Sequence, residues 1–239
     1  YVLVHGALFT GNVWQDLEHY LKAHGAKTVV VNVPGRNHDG VKPEAATLEL
    51  AAKKVCAAVR AQKGPVILVG HSQGGAIITQ SSDECGRAVK ALVYVAAVAP
   101  QSGESAFQAL SAHDNANFDA CATFNPLTES YEVYREGPIR EYFMADVSAE
   151  KAKAAIGNMV SEPAMIGSVK LHFKEDQFRK IPKYYIETRD DKIIAWDTQK
   201  KIEAEWKWKK RFTMNTSHAP FLSQPDVLGK YLLQIGAES

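Results

Sequence analysis

The sequence predicts an α/β fold, a doubly wound and mostly parallel sheet with an inserted helical cap. Three observations carry this. Short continuous apolar runs alternate with segments of helical periodicity through the first part of the chain. Strands apolar on both faces belong to parallel sheets covered by helices on either side. That rhythm stops after Ala99-Pro100 and resumes at Lys183 to Glu187. Between Val66 and Gln80 the chain reads strand, sharp turn, helix, with Ser72 at the apex of the turn.

Taken in order, Tyr1-Val2-Leu3-Val4 is a short strand, and Asn12 to Ala23 is a helix with Val13, Leu17, Tyr20 and Leu21 on one face. Gly25 ends that helix. Thr28 to Val33 is a β-branched strand stopped by Pro34-Gly35, and Thr47 to Gln62 is an alanine-rich helix. Val66 to Val69 is the next strand, Gly74 to about Ser82 a helix, and Ala91 to Val95 a further strand. Residues 101–178 hold short helical pieces, scattered aromatics and several Pro and Gly, but no clear buried strand. After Lys183 to Glu187, a strand follows near Trp206 to Met214, then a helix from Pro225 to about Ile235, with proline suited to its first turn. The expected division is a core of residues 1–100 and 179–239 with a cap of residues 101–178. No internal repeat or low-complexity segment interrupts it.

A chain of 239 residues, 46% hydrophobic, suits one domain with a sizeable core. Lys and Arg number 28 against 27 Asp and Glu, for a net charge of +1. That balance predicts neither a nucleic-acid surface nor an anionic-membrane surface. The basic stretch from Lys207 to Arg211, which holds Trp208, reads as a strand with solvated lysines. No run is long enough to span a bilayer. Three cysteines, Cys56, Cys85 and Cys121, fit no metal spacing and no disulfide framework, which leaves one bridge open between Cys85 and Cys121. The chain opens on Tyr1, without Met and already in a strand. It reads as missing an upstream piece, either a few residues or a signal peptide. The cytoplasm is the default expectation, with a secreted or periplasmic protein as the alternative. A monomer or homodimer is expected.

The chemistry centres on Gly70-His71-Ser72-Gln73-Gly74. A turn this tight forces the serine backbone into strain, and side chains in place of the flanking glycines would collide with strand and helix. The strain aims Ser72 Oγ outward and leaves the Gln73 N–H, at the start of the next helix, free to bind an oxyanion. A G-x-S-x-G motif is weak by itself and strong in this strand–turn–helix setting.

A serine hydroxyl needs a base, and the base an orienting acid. In this topology the order is serine, acid, histidine, each after successive strands. Thr188-Arg189-Asp190-Asp191 follows one late strand, and Asn215-Thr216-Ser217-His218-Ala219-Pro220 follows the other. Spacing alone does not separate Asp190 from Asp191. Of eight histidines, His19 and His24 fall on a surface helix, His38 in a polar loop, and His113 and His172 in the insertion. His71 reads as structural. His5, ending the first strand, reads as lining the cavity or buttressing its loop. His218 alone stands where strand order puts the base. The second oxyanion donor should come from the loop after the first strand, where His5-Gly6-Ala7 makes the Ala7 N–H the candidate.

Taken together, Val2-Leu3-Val4-His5-Gly6-Ala7 with Trp14, Val69-Gly70-His71-Ser72-Gln73-Gly74-Gly75, and Ser217-His218-Ala219-Pro220-Phe221-Leu222-Ser223-Gln224-Pro225 resemble the α/β-hydrolase superfamily. Within it the chain looks like the methylesterase and hydroxynitrile-lyase branch and its bacterial carboxylesterase relatives. The resemblance covers nearly the whole chain and is weakest in the insertion, which matches that family's cap. The family sets its catalytic Asp eight positions before a Gln, a pattern met by Asp191-Lys192-Ile193-Ile194 with Gln199. The resemblance therefore implies Asp191 rather than Asp190. Lyases of this group carry Thr after the first-strand His and Lys after the catalytic His, where this chain has Gly6 and Ala219. Without that ammonium nothing stabilises a leaving cyanide, so ester hydrolysis is the better inference. Epoxide hydrolases and dehalogenases of the fold use Asp where this chain has Ser72.

The expected activity is therefore that of a serine carboxylesterase working without metal or organic cofactor on a small to medium, uncharged, fairly hydrophobic ester with a small or aromatic acyl or alcohol part. Leu8, Phe9, Phe107, Phe118, Tyr142, Phe143 and Met144 are the candidate pocket walls. Rival readings are a lyase, lactonase, cofactor-free dioxygenase or C–C hydrolase on the same triad, and a ligand receptor that keeps the triad but turns over slowly.

Overall fold

The computed structural model describes residues 1–36 and 39–239, so His38 lies outside the described residues. The strands β1 (Val2–Val4), β2 (Val29–Val31), β3 (Val66–His71) and β4 (Val89–Val95) alternate with the helices α1 (Gln15–Ala23), α2 (Leu48–Arg60) and α3 (Gly74–Cys85). A long excursion follows. It contains α4 (Ala112–Cys121), β5 (Ala122–Asn125), β6 (Ser130–Val133), α5 (Ile139–Phe143), α6 (Ala149–Gly157), β7 (Glu162–Pro163), α7 (Ala164–Ser168) and α8 (Glu175–Phe178). The chain then returns through β8 (Lys183–Thr188), α9 (Trp196–Glu205), β9 (Lys210–Met214), α10 (Pro220–Ser223) and α11 (Pro225–Glu238).

Six strands form one parallel sheet in the order β2-β1-β3-β4-β8-β9. Every residue of β1 and β3 is buried, because α2 packs with α3 and α1 with α11 to supply the two helical layers. β2 flanks β1 on one side and β3 on the other, so strand order reverses at β1. Open α/β sheets bind ligands in the crevice beyond the carboxyl ends of the strands at such a switch point. His5-Gly6-Ala7 leaves β1 there and Ser72 leaves β3 there.

Local chemistry explains most element ends. Thr47 caps α2, its side chain accepting from the Leu50 N–H at 3.1 Å. Pro220 and Pro225 stand in the first turns of α10 and α11. The expected strand from Trp206 begins only at Lys210. Trp206 instead turns inward and donates from Nε1 to the Ala99 carbonyl at 2.7 Å. Helix α9 has no apolar stripe to announce it, since its buried face is Thr198, Gln199, Ile202 and Glu203.

Two expectations are corrected. The insertion is not simply helical, because β5, β6 and β7 form a three-stranded antiparallel sheet. Those strands are short and partly exposed, so they leave no apolar run in the sequence. The bridge open between Cys85 and Cys121 is not formed. Cys85 is bonded to Cys56, because α2 and α3 lie side by side and bring the two Cα atoms to 4.9 Å. Cys121 is free and buried at the end of α4. Burial pushes its thiol up to about 12, which leaves it inert as a nucleophile.

One buried acid pair makes stability depend on pH. Glu187 on β8 and Glu203 on α9 are both buried, with Lys200 Nζ 3.2 Å from Glu203 Oε2. Burial, and then the Glu187 carboxylate, push Glu203 up from 4.5 to about 7. The folded chain thus holds a proton that the unfolded chain releases between about pH 4.5 and 7. Stability from this group is present at low pH and is lost as pH rises through that window. Glu203→Gln, which keeps a donor toward Glu187, is expected to raise the melting temperature at pH 8 and to leave it nearly unchanged at pH 5. Thermal unfolding at the two pH values checks this, and an equal shift at both contradicts it.

Candidate active site

Ser72 sits at φ 54°, a left-handed conformation for a non-glycine residue. The surrounding backbone holds it there. Its N–H donates to the Val95 carbonyl at 3.2 Å, and its own carbonyl accepts from Gly75 at 3.0 Å and Val98 at 3.2 Å. The flanking glycines are steric requirements. A Cβ on Gly70 would lie 2.6 Å from the Gly74 carbonyl oxygen, and one on Gly74 would lie 2.7 Å from the Val4 carbonyl oxygen. Both obstacles are backbone, which cannot step aside.

His218 leaves β9 and reaches Ser72, with Nε2 2.9 Å from Oγ. On the far side of the ring, Nδ1 is 2.7 Å from Asp191 Oδ2. An ionised Asp191 only accepts, so Nδ1 carries the proton and Nε2 offers its lone pair to the serine hydroxyl. Asp191 is fixed in turn. Oδ1 accepts from the Ile193 N–H at 2.8 Å and the Ile194 N–H at 2.9 Å, and Oδ2 accepts from Thr188 Oγ1 at 2.9 Å. Gln199 stiffens this loop, accepting from the Thr188 N–H at 3.0 Å and donating to the Ile194 carbonyl at 2.7 Å. Asp190 points to solvent. The carboxylate on His218 is therefore that of Asp191.

Ala7 and Gln73 line the same cavity as Ser72. Among the described residues, neither backbone N–H donates to another protein group, which leaves both available to an oxygen above Ser72. His71 does not face the cavity. Its Nε2 donates to the His218 carbonyl at 2.7 Å, and its ring packs against His218 and Phe221 at 4.6 and 4.7 Å. Burial, and then His218, hold it well below the ordinary imidazole range, so it is a neutral strut beneath the base.

The cavity is small, about 30 Å³, and its walls are almost entirely apolar. Phe107, Phe118 and Phe143 line it, as the sequence suggests. Leu8, Phe9, Tyr142 and Met144 do not, which corrects four of the expected walls. Leu8 and Met144 are wholly buried. Phe9 turns into an aromatic cluster, edge-on to Phe143 at 5.9 Å and Phe221 at 5.8 Å. Tyr142 lies outside the cavity with Lys192 Nζ 5.9 Å from its ring centre. The missed walls are Val98, Ala106, Leu110, Ile193 and Ile194. Val98 follows the carboxyl end of β4, and Ile193 and Ile194 stand two and three residues after Asp191, so the strand-end rule could have found three of them. Among the described residues no group of three His, Cys, Asp or Glu could hold a metal ion, and no helix is long and apolar enough to cross a membrane.

The excursion is tied to this loop set. Asp114 on α4, wholly buried, accepts from the Ala195 N–H at 3.2 Å, and Asn117 Nδ2 donates to the Lys192 carbonyl at 2.7 Å. The walls Phe107 and Phe118 are thus held in register with the loop that carries Asp191.

Known proteins share this architecture. A pyrethroid hydrolase of Sphingobium wenxiniae is 26% identical over 237 residues, covering 96% of this chain and 84% of that protein. A putative chloroplastic methylesterase 14 of Arabidopsis thaliana is 25% identical over 255 residues, covering 98% of this chain and 71% of that protein. The crystal structure of a pyrethroid hydrolase from Sphingobium faniae superposes with a TM-score of 0.88 at 23% identity, over 98% of this chain and 95% of that one. The model of the alpha/beta hydrolase family matches residues 1–229, and with the sheet order and the Ser72 turn this places the chain in that family.

Proposed function

We propose that the protein is a serine carboxylesterase acting on small, uncharged, hydrophobic esters. The 2.9 Å approach of His218 Nε2 to Ser72 Oγ carries the reading. Ser72 Oγ attacks the ester carbonyl as His218 takes its proton, and Asp191 orients and stabilises the imidazolium. The N–H groups of Ala7 and Gln73 hold the oxyanion. His218 then protonates the departing alcohol, and water, activated by the same imidazole, releases the acid and frees Ser72.

Three observations support ester hydrolysis and its substrate class. Among the described residues the cavity walls carry no charged side chain, which suits an uncharged acyl group. Ala219 follows His218 and is fully buried, so that position supplies no ammonium for a leaving cyanide. The similar proteins carry the names putative methylesterase and pyrethroid hydrolase. The test is p-nitrophenyl ester turnover combined with labelling by a fluorophosphonate. Continuous turnover of the acetate is expected, with one phosphonyl group per chain on Ser72. Acetate and butyrate esters should exceed the dodecanoate in kcat/KM by about tenfold or more, since a cavity this size does not hold the long chain. A single burst with no turnover would mark a receptor instead of an enzyme.

A further inference from the structure

We propose that Arg36 and Glu162 form a positioning pair that sets both oxyanion donors from behind. This rests on the esterase reading above, which gives Ala7 and Gln73 their role. Arg36 lies beyond β2 and Glu162 opens β7, and their side chains make an ion pair that is almost fully buried. Neither lines the cavity. A buried ion pair is weak support for stability, because desolvation offsets the attraction. What the pair touches is therefore informative.

Glu162 Oε2 accepts from the Leu8 N–H at 3.1 Å, and the Leu8 carbonyl accepts from the Val160 N–H at 2.9 Å. Leu8 stands at φ 64°, a conformation leucine adopts only when its surroundings impose it. The segment from Val160 to Glu162 holds both polar groups of the residue that follows Ala7. On the other side of Ala7, the Val33 N–H donates to His5 Nε2 at 3.0 Å. The neutral ring then carries its proton on Nδ1, which donates to the Gly6 carbonyl at 3.0 Å. A trans peptide sets the Gly6 carbonyl opposite the Ala7 N–H, so fixing one aims the other.

Arg36 joins these elements to the second donor. Its Nη2 donates to Gln73 Oε1 at 2.9 Å as well as to Glu162. Its Nη1 stands 3.0 Å from His5 Nδ1. Both atoms are donors, so this contact acts through charge and opposes a second proton on the ring. Burial, and then Arg36, hold His5 well below the ordinary imidazole range. One planar guanidinium thus touches the groups behind Ala7 and Gln73 together, a task that a lysine point charge does not reproduce.

The test compares R36M/E162L and R36K with the parent chain, using p-nitrophenyl acetate kinetics and the rate of Ser72 phosphonylation by a fluorophosphonate. Replacing a whole buried pair by apolar residues is commonly tolerated, and circular dichroism reports folding. The expected result for R36M/E162L is a kcat lower by about tenfold or more, KM within about twofold, and phosphonylation slowed in proportion, because the phosphoryl oxygen occupies the same donors. R36K keeps a charge on Glu162 and is expected to lose about threefold or more in both rates. A folded R36M/E162L with both rates within about twofold of the parent overturns the proposal, as does a loss confined to KM with unchanged phosphonylation. If R36M/E162L does not fold, R36K decides by the same criteria. A parent chain that is phosphonylated on Ser72 but cleaves no ester removes the esterase reading, while the phosphonylation rates still judge the pair.

Discussion

Ser72→Ala is expected to lower kcat for p-nitrophenyl acetate by roughly 10⁶-fold while leaving the fold intact. The loss is large because the hydroxyl forms the acyl-enzyme and no neighbour can replace it. His71 is the adjacent residue, but its ring is buried among aromatics and its Nε2 is committed to the His218 carbonyl. Cys121 is buried at the end of α4 with a thiol pushed up to about 12. Residual catalysis of roughly 10³-fold over water is expected, since the two backbone donors and the cavity remain. The fold survives because, among the described residues, Ser72 Oγ bonds only His218 Nε2, and alanine meets the same conformational cost at φ 54°. Steady-state rates, the absence of a burst, and a melting temperature within a few degrees of the parent would together check this. A purified variant that kept about a hundredth of parental kcat would require another nucleophile.

The sheet and the order of serine, acid and histidine along the chain were legible in the sequence because each rests on local chemistry. The parallel strands are apolar on both faces, as β1 and β3 show. The turn at Ser72 announces itself because only glycine fits against backbone at Gly70 and Gly74. His218 follows from strand order alone. The acid did not follow from residue types, because Asp190 and Asp191 are adjacent and chemically equal. Family likeness favoured Asp191, and the physical difference between them lies in two backbone N–H groups, from Ile193 and Ile194, that only the fold presents.

The cavity walls were the least legible feature, and the reason is directional. Leu8 and Phe9 sit next to the oxyanion loop in sequence, yet the left-handed turn at Leu8 carries both side chains away from the substrate space. The same turn is stabilised by Glu162 from the excursion, a contact separated by 154 residues that no local pattern encodes. Helix α9 was missed for a related reason, since its buried Gln199 and Glu203 satisfy hydrogen bonds instead of filling an apolar face. The disulfide depended on which helices become neighbours, which is decided by the sheet order and not by cysteine spacing.

Asp191→Asn is expected to lower kcat by roughly 10³- to 10⁴-fold, whereas Asp190→Asn should stay within about twofold of the parent. The size follows from hydrogen-bond direction, and charge is the smaller part of it. Oδ1 of Asp191 faces two N–H donors, at 2.8 and 2.9 Å. An asparagine must therefore place its carbonyl oxygen there and its NH₂ toward His218 and Thr188. Thr188 Oγ1 can turn its hydrogen away and accept, but His218 Nδ1 must also become an acceptor. The neutral ring then carries its proton on Nε2, which points at Ser72 and can no longer receive the hydroxyl proton. The imidazolium formed during attack also loses its counter-charge in a buried site, where that charge counts most. Asp190 faces solvent and touches none of these atoms, so its amide variant changes only a screened surface charge. Ground-state binding is expected to survive in both variants, so the split should appear in kcat and in the phosphonylation rate, with KM nearly constant. If Asp190→Asn proved the more damaging of the two, the hydrogen-bonded order Ser72–His218–Asp191 could not be the working arrangement.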